Sequence, residues 1–236
     1  MGISQYIKEI GRGPRGSKPL TREQAADLFG QLLDGNVTDL EIGAFCLAMR
    51  IKGETPEEMC GFLDAAHSRM ELFPASDRPV IVLPSYNGAR KLPVLTPLLA
   101  LLLAREGLPV LLHGMRTEAR RTLASDVLLA LGVPALTAPE KIATGSVAHI
   151  ETGYLHAALA RLLKVREVVG LRNAGHSIVK LMNPCAGPAV VVTSYTHPEY
   201  YDMLQATCGA LHMTALLSRG LEGEVATDPR RTPRYD

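Results

Sequence analysis

Two short segments carry the residues best suited to chemistry. The first, residues 84–91 (PSYNGARK), combines turn residues with two adjacent cations, Arg90 and Lys91. The second, residues 113–116 (HGMR), offers an imidazole and a guanidinium. Backbone N–H groups in turns and cationic side chains both bind anions, and phosphate groups in particular. The two segments therefore predict a phosphate-binding site.

Both segments directly follow predicted β-strands. Residues 80–83 and 109–112 are short apolar runs, and the segment between them, residues 95–105, is rich in Leu and Ala. Thr96 and Pro97 are placed as the N-cap and the first residue of a helix. Strand, helix and strand in this order predict a βαβ unit with parallel strands. Ligands bind beyond the carboxyl ends of such strands, which is where both segments lie.

The N-terminal part of the chain has the signature of a helical subdomain. Capping boxes begin at Thr21, Thr38 and Thr55, and each precedes a run with an apolar face. Three such signals close together predict three successive helices. We expect residues 1–72 to form a small helical subdomain that mediates dimerisation.

The rest of the chain, residues 73–236, alternates between strand and helix patterns. This alternation predicts an α/β domain with a mostly parallel central sheet. Beyond the βαβ unit, the patterns predict helices at 117–131, 155–169 and 197–211, and strands at 189–195 and 213–218.

Composition limits the possible partners and compartments. The net charge is +1, so a polyanion would have to be attracted by local clusters of cations. The four cysteines lack metal-ligand spacing, which favours free thiols in the cytoplasm and no zinc site. The N-terminus lacks the apolar core of a signal peptide, and the Leu-rich helix is too short to cross a bilayer. We therefore expect a cytoplasmic protein without membrane contact.

One such local cluster lies between residues 156 and 182. Residues 156–182 contain five cations and one acid, Glu167. Two of the cations, Arg161 and Lys164, lie on one face of a predicted helix. The pattern has two interpretations: the solvated face of an amphipathic helix, or a stripe that contacts a nucleic-acid backbone. The cations are Arg161, Lys164, Arg166, Arg172 and Lys180.

Several residues of the two loops also have two interpretations. Arg90 and Lys91 either bind phosphate or keep the loop soluble. His113 is either a donor to phosphate or a buried histidine at the end of a strand. Tyr86 either stacks on a base or fills a gap in the core.

Several motifs resemble the anthranilate phosphoribosyltransferase family, glycosyltransferase family 3. Residues 113–116 (HGMR) and 125–132 (SDVLLALG) are similar to the family's KHGNR and SGSADVLEALG. The dipeptides at 165–166 (VR) and 183–184 (NP) and the tripeptide at 170–172 (GLR) also fit the family pattern. The resemblance implies the family's fold, and in the family the substrate is phosphoribosyl diphosphate with Mg²⁺. The family's chains are longer, which predicts truncation at the C-terminus.

The chain departs from the family at the positions that carry its chemistry. The family's diphosphate loop, GTGGD, is replaced here, and the family's acidic pair becomes Glu222 and Glu224, separated by a glycine. Transfer from a metal-bridged diphosphate needs closely placed donors. We therefore expect no catalytic residue, no metal site and no cofactor. The former diphosphate loop consists of Ser85, Tyr86, Asn87 and Gly88.

Residues 84–91 (PSYNGARK) and 222–225 (EGEV) resemble the YbiB-type branch of the same family, which implies a homodimer that binds nucleic acid with weak sequence selectivity. We expect a single-stranded or structured nucleic acid as partner. The alternative is a phosphoribosyl or glycosyl transferase that uses phosphoribosyl diphosphate with Mg²⁺ held by Glu222 and Glu224. The expected phosphate contacts are Arg90, Lys91, His113, Arg116, Arg161, Lys164, Arg166, Arg172 and Lys180.

Overall fold

The computed structural model describes residues 2–117, 120–228, 230 and 235. Its N-terminal part is helical, with α1 (Ser4–Ile10), α2 (Arg22–Leu33), α3 (Asp39–Lys52) and α4 (Pro56–His67). The threonines that precede α2, α3 and α4 each accept a hydrogen bond from the backbone N–H three residues on, and each threonine N–H donates to that residue's side chain. The three predicted capping boxes are therefore confirmed.

An aromatic cluster and a buried ion pair hold the helical part together. The ring centroid of Phe62 lies 5.0 Å from that of Phe29 and 6.0 Å from that of Phe45. Lys52 Nζ lies 2.6 Å from Glu58 Oε2, and the two side chains are 8% and 0% exposed. The carboxylate of Glu58 also accepts the backbone N–H groups of Leu20 and Thr55, so its charge is compensated.

The second part is built on a parallel sheet of five strands in the order β3-β2-β1-β4-β5. Every pair of neighbours is parallel, as predicted for a mostly parallel α/β domain. The carboxyl ends of the strands therefore lie at one edge of the sheet. The strands are β1 (Val80–Ser85), β2 (Val110–Gly114), β3 (Val147–Glu151), β4 (Ala189–Tyr195) and β5 (Ala215–Arg219).

Helices cover both faces of this sheet. Leu83, Leu112 and Val192 face the side that packs on α5 and α6. Val82 and Leu111 face the opposite side, where one continuous core joins the sheet to α1–α4 and α8–α10. No helix in the described ranges is long and apolar enough to cross a membrane. The helices of this part are α5 (Thr96–Arg105), α6 (Ala124–Ala130), α7 (Thr152–Leu155), α8 (Ala157–Val169), α9 (Gly175–Ile178) and α10 (Tyr201–Ala210), and Pro198–Tyr200 form a 3₁₀ turn.

The observed elements differ from the predicted ones at several boundaries. Strand β3 was not predicted, and α6 is shorter than the helix expected over residues 117–131, of which residues 118 and 119 lie outside the described ranges. Helix α5 begins at Thr96 rather than after it, and its N-cap is Leu95. The Thr96 hydroxyl does not cap the helix because it donates to Glu224 instead. The boundary between residues 72 and 73 stays a prediction.

Candidate functional site

The loops that follow β1 and β2 pack tightly against each other at the carboxyl edge of the sheet. The backbone of Ala89 forms two hydrogen bonds with Thr122, of 2.8 and 3.1 Å. Gly88, beside it, has a φ of +63°, and a Cβ atom there would lie 2.6 Å from the Thr122 carbonyl oxygen. Only glycine fits this position without strain. This close packing fixes the backbone N–H groups of the first loop in place.

The N–H groups of Asn87, Gly88, Arg90, Lys91 and Leu92 form what we call the amide cradle. Glu224 occupies its first half. Glu224 Oε1 accepts the N–H groups of Asn87 at 2.9 Å and Gly88 at 2.8 Å. The other oxygen, Oε2, accepts the hydroxyls of Ser85 and Thr96. Glu224 is 2% exposed, and these four donors compensate the burial of its charge.

Glu222 occupies the second half of the amide cradle. Its Oε2 accepts the backbone N–H of Arg90 at 2.8 Å and lies 3.3 and 3.4 Å from the nitrogens of Lys91 and Leu92. Partial burial raises the pKa of Glu222, but the three N–H donors outweigh it, so the pKa lies below its ordinary value. The carboxylate is therefore held in its charged form.

A group of cations surrounds the amide cradle. Arg172 Nη2 donates to Asn87 Oδ1 at 2.6 Å, and Arg121 Nη1 donates to the Asn87 carbonyl at 3.2 Å. Lys180 Nζ lies 3.3 Å from the Ser194 carbonyl oxygen and 3.4 Å from that of Gly223. Burial, together with the nearby Arg172 charge, lowers the pKa of Lys180 to about 8. The site thus combines rigid N–H donors with positive charge.

A cavity of about 590 Å³ opens between this edge of the sheet and helix α3. Its size suits a small organic ligand. Its lining includes both charges and aromatic rings. The charged residues are Arg50, Arg121, Arg166, Arg172, Lys180, Glu54, Glu199 and Glu222, and the aromatic ones are Tyr195, Tyr200, His176 and His197.

The structure brings some of the predicted phosphate contacts together. Arg166, Arg172 and Lys180 line the cavity beside Asn87 of the former diphosphate loop. Arg166 Nη1 also donates to the Thr117 carbonyl at 3.1 Å, which ties α8 to the loop after β2. These residues are separated by up to 93 positions in the chain, from 87 to 180, and meet only at the sheet edge.

Other predicted contacts lie elsewhere. Arg161 and Lys164 are on the exposed face of α8 and do not line the cavity. Arg116 Nη2 donates to both carboxylate oxygens of Asp126, at 2.7 and 2.8 Å. The side chains of Arg90 and Lys91 are exposed, and these residues enter the site through their backbone N–H groups.

His113 and Tyr86 belong to the core rather than to the cavity. His113 is 0% exposed, and its Nδ1 lies 2.9 Å from the Tyr86 hydroxyl, which also lies 2.8 Å from Thr152 Oγ1. Burial lowers the pKa of His113 to about 3, so it is a neutral side chain at ordinary pH. Burial raises the pKa of Tyr86. The position of His113 gives no support to a role as phosphate donor, and Tyr86 fills the core instead of facing a base.

Three residues of the site were not among the predicted phosphate contacts. Arg121 and Arg50 line the cavity, and Thr96 contacts Glu224. Arg50 lies in the last turn of α3, in the N-terminal part of the chain, and no local signal connects it with residues of the sheet. The position of Thr96 before Pro97 predicted a helix cap and not a contact with Glu224.

The two acids do not fit a metal ion in this conformation. The carboxylates of Glu222 and Glu224 already accept several N–H or O–H groups each. Within the described ranges, no group of three His, Cys, Asp or Glu side chains is arranged to hold a metal. In this conformation the donors of the amide cradle and the hydroxyls of Ser85 and Thr96 contact the oxygens of both carboxylates.

The sequence has relatives along its whole length. Residues 4–70 match the helical bundle domain of the glycosyl transferase family. The chain is 39% identical, over all its length, to the uncharacterized protein YbiB of Escherichia coli, of which it spans 76%. It is also 31% identical, over 89% of its length, to anthranilate phosphoribosyltransferase of Methylorubrum extorquens. It spans 65% of that enzyme and 61% of the Dictyoglomus thermophilum enzyme.

Solved structures share the fold. Anthranilate phosphoribosyltransferase of Thermus thermophilus matches with a TM-score of 0.75 and 23% identity, over 93% of this chain and 67% of that one. The Saccharomyces cerevisiae enzyme in complex with PRPP and Mg matches with a TM-score of 0.73 and 15% identity, over 99% of this chain and 69% of that one. At these identities the likeness establishes the fold.

These comparisons correct three expectations drawn from the sequence. A nucleic-acid-binding function and a nucleic-acid partner are contradicted, because the relatives whose names state an activity are phosphoribosyltransferases. The expectation of no cofactor is contradicted as well, because a structural neighbour was solved with PRPP and Mg. The replaced loop residues do not exclude a phosphate site, because backbone N–H groups bind anions whatever side chains they carry. Homodimerisation stays a prediction.

Proposed function

The chain belongs to the anthranilate phosphoribosyltransferase-like family, glycosyltransferase family 3, in its YbiB-type branch, and on that basis we propose that it transfers a phosphoribosyl group. The donor is phosphoribosyl diphosphate, and the acceptor is a small molecule that enters the cavity beside α3. The chain spans 76% of YbiB and 65% of the Methylorubrum extorquens enzyme. The activity is proposed for the protein as a whole.

The observation that carries the proposal is the amide cradle. Its five N–H groups follow β1, point to the carboxyl edge of a parallel sheet, and already hold two anionic carboxylates. A diphosphate presents the same kind of acceptor, namely negatively charged oxygens in two linked groups. Rigid N–H groups at this edge of an α/β sheet are typical phosphate ligands. The site therefore has the chemistry that the diphosphate of the donor requires.

The reaction needs stabilisation of negative charge at the leaving group. The acceptor nucleophile forms a bond to the anomeric carbon of the ribose while the bond from that carbon to the diphosphate oxygen breaks. The diphosphate leaves with the electron pair, and the acceptor loses a proton to solvent. Arg172, Arg166 and Lys180 line the cavity next to the amide cradle and stabilise the charge that develops on the diphosphate.

Asn87 links the two parts of the site. Its backbone N–H belongs to the amide cradle, and its side chain lies between Arg172 and the Gly223 carbonyl, at 2.6 and 2.7 Å. We assign it a positioning role, because it holds the arginine at the border of the cradle. No step is assigned to Mg²⁺, since Glu222 and Glu224 are not arranged for it in this conformation.

Calorimetric titration with phosphoribosyl diphosphate in the presence of Mg²⁺ tests the proposal. We expect saturable binding with a dissociation constant between about 1 µM and 1 mM, the usual range for enzyme substrates. Diphosphate release should then be measured with a panel of aromatic amines and nucleobases as acceptors. Absence of binding at millimolar donor would overturn the proposed function.

A cytoplasmic location is part of the proposal. Its support is the state of the cysteines, since all four are free thiols and three of them are buried. Chains that keep every cysteine reduced are typical of reducing compartments.

A further inference from the structure

The amide cradle is filled by the chain itself. Both carboxylates come from one short stretch, residues 222–224, which lies 130 positions or more after the N–H groups that it contacts. Each carboxylate covers one half of the cradle: Glu224 takes the N–H groups of Asn87 and Gly88, and Glu222 takes those of residues 90–92. A ligand that uses these N–H groups has to displace the acids.

We propose that Glu222 and Glu224 are internal substitutes for the two phosphates of a diphosphate, and that a diphosphate ligand displaces them from the amide cradle when it binds. The inference rests on the proposed function, because the ligand is the diphosphate part of its donor. It adds a closed state in which the binding site is blocked and the acids are held away from any metal. Binding then has two coupled parts, entry of the diphosphate and release of the acidic stretch.

The charge and geometry of the two acids fit this exchange. A carboxylate and a phosphate both accept charge-assisted hydrogen bonds from N–H groups, so one replaces the other without leaving buried donors unpaired. Two carboxylates in adjacent halves of the cradle match two linked phosphates. A single phosphate covers one half and leaves the other acid in place.

Glu222, at the start of the acidic stretch, has an unfavourable backbone conformation in the closed state. Glu222 has a φ of +52° and Gly223 a φ of +86°. A non-glycine residue in this left-handed region is strained, and such strain persists only while the surroundings hold it. The contacts that hold the stretch include those of the carboxylates with the amide cradle and the hydrogen bond from Asn87 Nδ2 to the Gly223 carbonyl. Release of the acids therefore also relieves strain.

Titration with inorganic diphosphate in the absence of metal tests whether the ligand has to displace Glu222 and Glu224 when it binds. Glu224→Gln is nearly isosteric, and the Ser85 and Thr96 hydroxyls can accept from its amide group, so the fold has a way to tolerate it. Glu222→Gln changes a more exposed residue. A neutral glutamine side chain binds the N–H groups of the amide cradle less strongly than a carboxylate does. We therefore expect each variant to bind diphosphate roughly tenfold more tightly than the wild type.

Glu199→Gln is the matched control. Glu199 lines the same cavity, whereas the N–H groups of the amide cradle donate to Glu222 and Glu224. Loss of the Glu199 charge measures the general electrostatic effect of removing an acid from the cavity. We expect it to change the affinity for diphosphate by about twofold or less at physiological salt. If Glu222→Gln and Glu224→Gln gain no more affinity than Glu199→Gln, the exchange is overturned.

Hydrogen exchange gives a second measurement that does not depend on any variant. In the closed state the Leu221 and Glu224 N–H groups donate to the carbonyls of Ala226 and Leu221. On addition of diphosphate to the wild type we expect residues 220–226 to exchange faster while residues 87–92 stay protected. Increased protection of both segments would contradict displacement of the acids.

The two proposals fail in different ways. If the wild type binds phosphoribosyl diphosphate but the glutamine variants gain no affinity for diphosphate, the exchange is wrong and the transferase stands. If the variants gain affinity but no acceptor receives a phosphoribosyl group, the exchange stands and the transferase is wrong.

Discussion

The carboxylate of Glu224 lies 2.8 Å from the backbone nitrogen of Gly88, although 136 positions separate the two residues in the chain. The contact joins the loop after β1 to the loop after β5. It also shows that the loop binds anions with its backbone, because an internal anion is already bound there. The consequences for stability, binding and pH dependence can be tested separately.

Gly88→Ala tests whether the loop requires glycine. The new Cβ would meet the Thr122 carbonyl oxygen at 2.6 Å and Leu123 Cδ2 at 2.8 Å, in a residue whose φ is +63°. We expect the free energy of unfolding to fall by about 2–4 kcal/mol, from backbone strain and overpacking together. Gly132→Ala is the control, because Gly132 has a φ of +80° but no atom within 4 Å of a new Cβ. Urea unfolding should show a loss of about 1 kcal/mol for the control, and equal losses in the two variants would refute the role of the close contact.

Arg172→Gln tests the cation that borders the amide cradle. Its guanidinium contacts Asn87 Oδ1 at 2.6 Å and lines the cavity. Loss of a charge-assisted contact to a diphosphate should weaken binding of phosphoribosyl diphosphate by about 10- to 100-fold, measured by calorimetry. Arg161→Gln removes the same charge from the exposed face of α8, outside the cavity, and should change the affinity by about twofold or less. A larger loss of affinity in Arg161→Gln than in Arg172→Gln would show that the donor binds at the exposed face of α8 instead of in the cavity.

The lowered pKa of Lys180 makes the free energy of unfolding depend on pH. Its pKa is about 8 in the folded protein, against an ordinary value of 10.5. Between these two pH values the unfolded chain binds a proton that the folded chain does not, so the free energy of unfolding rises with pH. Chemical denaturation at pH 7 and pH 9.5 should show that the wild type gains about 1–2 kcal/mol relative to Lys180→Met. Comparison with this variant cancels the titration of tyrosines and cysteines. Parallel pH profiles for the two proteins would show that the pKa of Lys180 is not lowered.

Lys52→Met tests the buried ion pair of the helical part. The substitution leaves the fully buried carboxylate of Glu58 without its cation, at a position 2.6 Å from the original ammonium. We expect a loss of about 3–5 kcal/mol in the free energy of unfolding, because an unpaired buried charge is costly. Glu106→Gln breaks the exposed contact with Arg105 and should cost about 0.5 kcal/mol or less. Similar effects for the two variants would show that water reaches Glu58 freely.

Local signals in the sequence predicted most elements of the fold. The capping boxes at Thr21, Thr38 and Thr55 mark true helix starts, because a cap depends on residues three positions apart. Strands β1 and β2 were predicted because buried parallel strands are continuous apolar runs. Strand β3, Val147–Glu151, was missed because its sequence, VAHIE, contains a buried histidine and a terminal acid.

The candidate site was predicted in part. Arg166, Arg172 and Lys180 were singled out from their charge, and they line the cavity with Asn87. His113 was singled out as a possible donor to phosphate, but it lies in the core beside Tyr86, where burial lowers its pKa and keeps it neutral. The structure places His113 inside β2 rather than in the loop after it, and the local sequence does not show which face of the sheet the side chain of a strand residue takes.

The sequence by itself determined the family and the helical and α/β parts, and it predicted anion binding at the loop after β1. The family follows from short motifs, and the other properties follow from capping, apolar periodicity and turn residues. The tertiary structure decided what the acids do. Glu222 and Glu224 suggest metal ligands in the sequence, but in the fold they accept N–H groups from residues 87–92. Partners that lie 130 positions or more apart are chosen by the packing of the strand ends, and no local pattern in the chain records that choice.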